Sequence, residues 1–435
     1  MPFCLPMEIA ELYQRFLASQ GVFTDTRKPL PRGLFFALQG PNFNADSFAE
    51  TALELGAIAA VVSKKKAFSS RVKEFIAVDD PLITLQQLAN YHRRQLSTQI
   101  IALTGSNGKT TTKELMAAVL SSHFKTTATI GNLNNHIGVP LTLLAIPPDA
   151  EIAIIEMGAN HLGEIANLSA IVEPDLGYIT NFGKAHLEGF GGTDGVIKGK
   201  SELYRYLKKN QKKAFINGDD AKQMELSQNL LKSSFGTDSS CAFQVQYESH
   251  PDELIVKTAE GNLSSPLHGS YNLPNIAAAY ALGKHFQVPF KKIKSAIEAY
   301  QAVNNRSQCI ENEGTVIILD AYNANPSSMK AALDSFYEQF TEDRVVILGD
   351  MLELGEYKEK EHQELANYIK QKDHEKVVII GEVFSSLQIS IPNLEKHTST
   401  SAFLSRINPA EFKGKNILIK GSRRLAMERI VKKIT

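Results

Sequence analysis

Residues 101–120 read IALTGSNGKTTTKELMAAVL, and the fold of the whole chain follows from them. The apolar run Ile100 to Leu103 predicts a strand. It breaks into Gly105-Ser106-Asn107-Gly108-Lys109-Thr110, after which Leu115, Met116, Val119 and Leu120 recur at helical spacing. Strand, glycine loop and helix start together make a phosphate cradle. Loop N–H groups and the helix N-terminus face the anion, Lys109 adds a charge, and the Thr110 hydroxyl is suited to Mg²⁺. Leu103 stands where the first glycine of G-x-x-x-x-G-K-[ST] belongs, and a bare G-x-x-G-K-T also occurs at ordinary strand–turn–helix corners. Thr111 and Thr112 behind the loop, and an acidic strand end at Glu156 about one βαβ unit later, favour a nucleotide site. The chain reads as an ATP-using enzyme.

Bulk properties narrow the partners. At 435 residues the chain exceeds one compact core. Lys+Arg and Asp+Glu are 47 each, which gives no basic surface for nucleic acid or an acidic membrane. Cys4, Cys241 and Cys309 are few and far apart, as in a reducing compartment, and suggest neither a disulfide framework nor a zinc site. The start, MPFCLPMEIAELYQRF, lacks the long apolar core of a secretory signal. No apolar run approaches the roughly 20 residues that span a bilayer. A soluble, cytoplasmic, monomeric protein is expected, without nucleic-acid binding or membrane insertion.

Outward from the loop, the chain divides into three α/β units. Residues 1–83 carry short strands at 33–38, 57–62 and 75–78, with a helix at 48–55. Residues 84–303 hold buried strands at 152–155, 176–180 and 214–217, ending respectively in Glu156, in Asn181 to His186, and in Gly218-Asp219-Asp220. Residues 235–267 look like a few antiparallel strands before a helix at 275–286. Residues 304–435 hold strands at 315–319, 344–348, 376–380 and 416–419, each closed by a polar or glycine-bearing turn. Strands alternating with helices predict parallel sheets covered on both faces, with ligands at the strands' carboxyl ends. The expected fold is therefore a small α/β domain, a central P-loop domain with a mostly parallel sheet, and a C-terminal Rossmann-like domain.

Several polar clusters admit two readings. Thr24 to Arg27 is by itself a capped turn. Glu156 occupies the place of a Mg²⁺ carboxylate, or merely caps a helix. Residues 131–140, GNLNNHIGVP, form a turn before a helix at Pro140, yet three asparagines in four positions exceed what a turn needs. Asp194 to Tyr204 has two lysines and two acids, the pattern of a solvated, ion-paired helix face.

TGSNGKTTTKE, GNLNNHIGVP, EMGANHLGEI, NFGKAHLEGFG, GSYNLPNIAAA, NRSQ, DAYNANPSSMKAAL, LGDMLELG and KGSRRLAME follow one another along the chain. In these segments and their order the chain resembles the Mur ligases, over nearly its whole length. The resemblance implies that Gly105, Ser106, Asn107, Gly108, Lys109, Thr110 and Thr111 cradle ATP. It implies two Mg²⁺ sites, one at Thr110, Asn134 and Glu156 and one at His186 and Lys200. Lys109, His186 and Lys200 are then the catalytic residues. Asn272 and Asn275 match an H-N-x-x-N adenine motif, with Tyr271 in place of the histidine. Arg306 and Asp320 match residues that close over the nucleotide, and Ala321 replaces a usual serine. Thr26 and Arg27 fall on a D-S-R uridine motif that makes residues 1–83 a UDP-binding domain, although residues 44–48 depart from the family's D-G-H-D-F. Tyr322, Asn323 and Asn325 would face the second substrate. Lys200, in K-S-E-L-Y, matches a lysine that the family carries as a carbamate.

Within the family, YNANP with SMKAAL and GDMLELG are similar to the branch that adds D-alanyl-D-alanine to a UDP-N-acetylmuramoyl tripeptide through an acyl phosphate. A sister ligase adding one amino acid or glutamate is the competing enzyme. A nucleotide-binding regulatory or transport subunit is the competing class, and it has no use for a second metal site.

Overall fold

The computed structural model describes residues 8–40, 43–64, 74–250, 253–302 and 305–435. Its three principal sheets are built from apolar strands that end on polar turns. In the first, Val22–Phe23, Leu34–Phe36, Ala59–Ser63 and Phe75–Val78 lie side by side in that order, all parallel. Val22–Phe23 is too short to show a pattern in the sequence. The helix expected at 48–55 starts earlier, as a 3₁₀ turn over Ala45–Phe48, because the Asn44 side chain accepts the Asp46 N–H; α-helix follows over Ala49–Glu54.

The central sheet has seven parallel strands. In spatial order they are Phe243–Gln244, Lys232–Gly236, Lys213–Asn217, Leu176–Ile179, Gln99–Thr104, Ile152–Glu156 and Thr126–Ala128. Gln99–Thr104 comes first in sequence but lies inside the sheet, between Leu176–Ile179 and Ile152–Glu156. The chain reverses its direction of travel across the sheet there, which opens a crevice at that strand's carboxyl end. Register sets Leu103 opposite Glu156 and Thr104 opposite Ile179, so the glycine loop starts beside both neighbours' polar ends. Of the polar stretch 235–267, Phe243–Gln244 joins the large sheet in parallel. Gln246–Ser249, Leu254–Thr258 and Gly261–Ser265 make the expected antiparallel set. Leu115, Met116, Val119 and Leu120 are all buried, in one core with the helix Leu273–His285.

The third sheet runs Gln308–Asn312, Thr315–Asp320, Asn416–Lys420, Arg344–Gly349, Lys376–Ile380, Leu394–His397; its first pair is antiparallel and the rest are parallel. The last strand in sequence inserts between two earlier ones, making a second crevice beside Asp320 and Lys420, which are register partners.

Pro81–Gln95 is one helix. It starts where Asp80 accepts the Leu82 and Ile83 N–H groups, so the division expected after residue 83 falls inside it. That helix ties the first unit to the second: the Tyr13 hydroxyl meets His92 Nδ1 at 3.1 Å, and Arg93 Nε donates to the Val172 carbonyl at 3.1 Å. The division expected at 303/304, and Cys4, lie outside the described residues. Cys241 and Cys309 are free thiols. Among the described residues no helix is long and apolar enough to cross a membrane.

Candidate active site

The two crevices face each other across one cleft of about 1350 Å³. The glycine loop forms its floor. Gly105 has φ +143°, and a Cβ there would lie 1.9 Å from Thr180 Oγ1, so only glycine lets the loop pass the neighbouring strand. Gly108, at φ +77°, turns the chain into the helix Lys109–Ser121. The loop is braced from the strand end beside it. Asn107 N donates to Asn181 Oδ1 (3.1 Å), Asn181 Nδ2 and Thr180 Oγ1 donate to the Asn107 carbonyl (3.0 and 2.6 Å), and Ser106 Oγ donates to the Gly183 carbonyl (2.6 Å).

Lys109 is half-buried, and its amine donates to the carbonyls of Gly105 (2.8 Å) and Ser106 (3.2 Å). Burial holds its pKa below the usual lysine range; Glu156 offsets part of that and Arg306 adds to it. Glu156 is buried and collects donors: Thr110 Oγ1 at 3.1 and 3.3 Å, Asn134 Nδ2 at 2.8 Å, and the Lys113 amine at 3.5 Å. Thr110 and Asn134 each give a hydrogen to Glu156, which leaves lone pairs on their own oxygens. One carboxylate with two neutral oxygens suits a hard cation that arrives with phosphates and keeps its water. Among the described residues no cluster of three His, Cys, Asp or Glu is placed to hold a metal by itself.

Behind the loop, Asn275 Oδ1 accepts the Thr112 hydroxyl (3.0 Å), and Asn275 Nδ2 donates to Asn272 Oδ1 (2.9 Å). Both asparagines line the cleft, as do Ser106, Asn107, Thr111, Arg306 and Asp320. Arg306 stacks 3.6 Å over the Tyr322 ring, and Asp320 pairs with the buried amine of Lys420. Asn325 caps the helix Pro326–Gln339 in a capping box with Ser328. Its Nδ2 donates to Asn107 Oδ1 at 2.7 Å, joining the third unit to the loop. Asn323 also lines the cleft, and its carbonyl faces the Lys420 amine.

His186, at φ 53°, sets Nδ1 against the Glu353 carboxylate, and this contact holds Glu353 below its ordinary pKa. Lys200 stands apart. It is fully buried, off the cleft wall, with its amine donating to the Ala159 carbonyl (3.0 Å) and lying 5.1 Å from the Phe190 ring centre. Burial, and next the charge of Lys109, lower its pKa well below the lysine range. The solvated, ion-paired face therefore fails for this residue, although Asp194 and Lys198 are exposed as that reading expects. Glu202 accepts the Gly163 and Ala166 N–H groups instead of pairing with Lys200. As a free amine Lys200 does not fit a hard cation.

Thr26 and Arg27 are not in this cleft. Asp25 takes the Arg27 guanidinium in a surface turn at 2.8 Å, and the pair is largely exposed. The helix expected from Asn275 begins at Leu273, so Asn275 lies within its first turn. Lys113, Lys420 and Glu353 were not visible as site residues from the sequence. Lys113 carried the one usable signal, a charge four residues after Lys109 among the buried positions of the same helix.

Residues 103–283 match the Mur ligase middle domain, and residues 305–423 match the Mur ligase glutamate ligase domain. The UDP-N-acetylmuramoyl-tripeptide–D-alanyl-D-alanine ligase of Bacillus subtilis is 35% identical, over 98% of this chain and 96% of its own length. A crystal structure of MurF from Acinetobacter baumannii superposes with a TM-score of 0.86 at 30% identity, covering 99% of both chains. MurF ligase from Thermotoga maritima, solved in complex with ADP, shares the fold with a TM-score of 0.81 at 24% identity, over 96% of this chain and 97% of that one. A phosphate loop between two crevices, matched along nearly the whole length by relatives of one kind, leaves a single assignment: the chain belongs to the Mur ligase family.

Proposed function

We propose that this chain joins the free carboxylate of a UDP-N-acetylmuramoyl tripeptide to the amine of D-alanyl-D-alanine, consuming ATP. The carboxylate is a poor acyl donor because its oxygen does not leave. Its oxygen attacks the γ-phosphorus of ATP and ADP departs, leaving an acyl phosphate. The amine nitrogen then attacks the acyl carbon, phosphate leaves, and the nitrogen gives up a proton. The observation that carries this reading is the 2.7 Å bond from Asn325 to Asn107, which puts the YNANP segment and the phosphate loop in one cleft. The ADP complex of the Thermotoga relative and the names of the curated relatives support it.

In this reading residues 84–303 hold ATP, residues 304–435 receive the dipeptide, and residues 1–83 hold the UDP end through Thr26 and Arg27. Loop N–H groups and the start of Lys109–Ser121 face the phosphates, and Lys109 turns from the Gly105 and Ser106 carbonyls toward them. Asn272, Asn275, Arg306 and Asp320 border the nucleoside. Tyr322, Asn323 and Asn325 border the dipeptide. Mg²⁺ held at Thr110, Asn134 and Glu156 would neutralise charge between two anions. A second cation would take His186 and a carbamylated Lys200. We place the reaction in the cytoplasm, where ATP is made available, with the chain acting as a monomer.

The test is ADP release by purified protein with lysine- and diaminopimelate-containing UDP-tripeptides side by side. Release should require both a tripeptide and D-alanyl-D-alanine. Equal or faster release with a single amino acid would replace this reading with the sister ligase. ADP release that ignores both substrates would remove ligation altogether.

A further inference from the structure

We propose that Lys113 is a positioning residue for the phosphate-loop carboxylate, the fixed cation that aims Glu156 at the nucleotide's metal. The inference rests on the ATP and Mg²⁺ reading above. Lys113 sits one helical turn beyond Lys109, 2% exposed, on the buried face of Lys109–Ser121. Its amine donates to the Gly131 carbonyl at 3.2 Å and lies 3.5 Å from Glu156 Oε2. Gly131 opens the loop that carries Asn134, so one ammonium spans the two segments that meet at the candidate cation site.

A buried ion pair seldom repays its desolvation, and apolar side chains of similar volume usually serve stability as well. Its retention here therefore points to placement. The other side chains that hydrogen-bond the Glu156 carboxylate are Thr110 and Asn134, and each carries an oxygen with lone pairs of its own. When those oxygens turn to a cation, Lys113 is the partner left behind the carboxylate. It opposes rotation of Glu156 and keeps residues 131–134 against the strand end. The ammonium also repels a cation, but the nucleotide's phosphates offset that charge when metal and nucleotide arrive together. Placement should then outweigh repulsion.

The test uses ADP binding by calorimetry, with and without Mg²⁺, so it does not depend on ligation. Wild type should bind ADP more tightly with Mg²⁺. Lys113→Met should bind ADP without Mg²⁺ within threefold of wild type, while the tightening by Mg²⁺ shrinks at least tenfold. Lys113→Gln, which keeps a donor for Gly131 without the charge, should show at least a threefold loss and serves if the Met variant is insoluble. Tightening at the wild-type level or above in either soluble variant overturns the proposal. So does an equal loss of affinity with and without Mg²⁺, or a wild type indifferent to Mg²⁺. Absence of ligation with intact Mg²⁺-dependent ADP binding would instead sink the proposed reaction and leave this inference standing.

Discussion

Lys109 donates to its own loop carbonyls, and two neutral acceptors are a poor match for a half-buried ammonium. A phosphate is the better partner, which is why the proposed function assigns the residue to the liganded state. Lys109→Ala should cost about 1 kcal/mol of stability, the scale of one hydrogen-bonded side chain. Turnover should fall about 10²- to 10³-fold, as when one transition-state donor is removed. Melting and steady-state kinetics on the same sample check both, and turnover within tenfold of wild type would remove the ATP assignment. Lys200 makes a different demand. CO₂ adds to a neutral amine, and burial that depresses its pKa supplies one, the neutral fraction growing as pH rises. ¹³C NMR of protein equilibrated with ¹³CO₂ should show a carbamate signal that Lys200→Ala lacks. Activity of Lys200→Ala should be mostly lost and partly restored by a short carboxylic acid, while Lys198→Ala stays mild. A wild-type spectrum without that signal would count against the modification.

At the scale of an element, the helix Pro326–Gln339 presents its first turn to the phosphate loop. Asn325 does two things with one amide: Oδ1 accepts the Ser328 N–H as a cap, and Nδ2 donates to Asn107. The two roles separate by substitution. Asn325→Ala loses the cap, about 1 kcal/mol, and also the Asn107 bond. Asn325→Asp keeps the cap acceptor and loses the donor, so its melting temperature should stay near wild type while kcat/KM falls about tenfold, the scale of one hydrogen bond. Thermal melts set beside kcat/KM decide it, and an Asp variant with full activity would show that the bond is incidental.

At the scale of the molecule, the second and third units meet through polar contacts near the cleft. Lys184 Nζ pairs with Glu361 at 2.7 Å, Lys184 N donates to Ser327 Oγ at 2.8 Å, and Ser270 N donates to Ser335 Oγ at 3.1 Å. One apolar cluster also runs across both units, and polar contacts beside it let the two shift, so that ligands held from both sides select the closed arrangement. Small-angle scattering should show a smaller radius of gyration with an ATP analogue and UDP-tripeptide bound. Glu361→Gln should enlarge the unliganded particle and leave the doubly liganded one unchanged. Identical radii at demonstrated saturation would argue against closure.

The reach of the sequence ended where local pattern ended. Gly105 to Thr110 announced the loop because glycines, lysine and threonine at that spacing have few other uses between a strand and a helix. The long apolar strands announced the sheets for the same reason: four or five buried residues in a row leave a pattern, and Val22–Phe23 or Phe243–Gln244 do not. Its place at a strand end marked Glu156, family resemblance gave Asn134 and His186 their expected roles, and the structure brings all three to the cleft. Tertiary structure alone decided which groups answer one another. That Lys113 faces Glu156, Lys420 faces Asp320, His186 faces Glu353 and Asn325 reaches Asn107 depends on strands crossing over and on two units docking, at separations of 43 to 218 residues along the chain. It also decided that Lys200 is buried while Lys198 is exposed, because two residues along a helix turn a side chain from solvent to core. Spacing along a chain encodes the elements; electrostatic partners are set only when the elements pack.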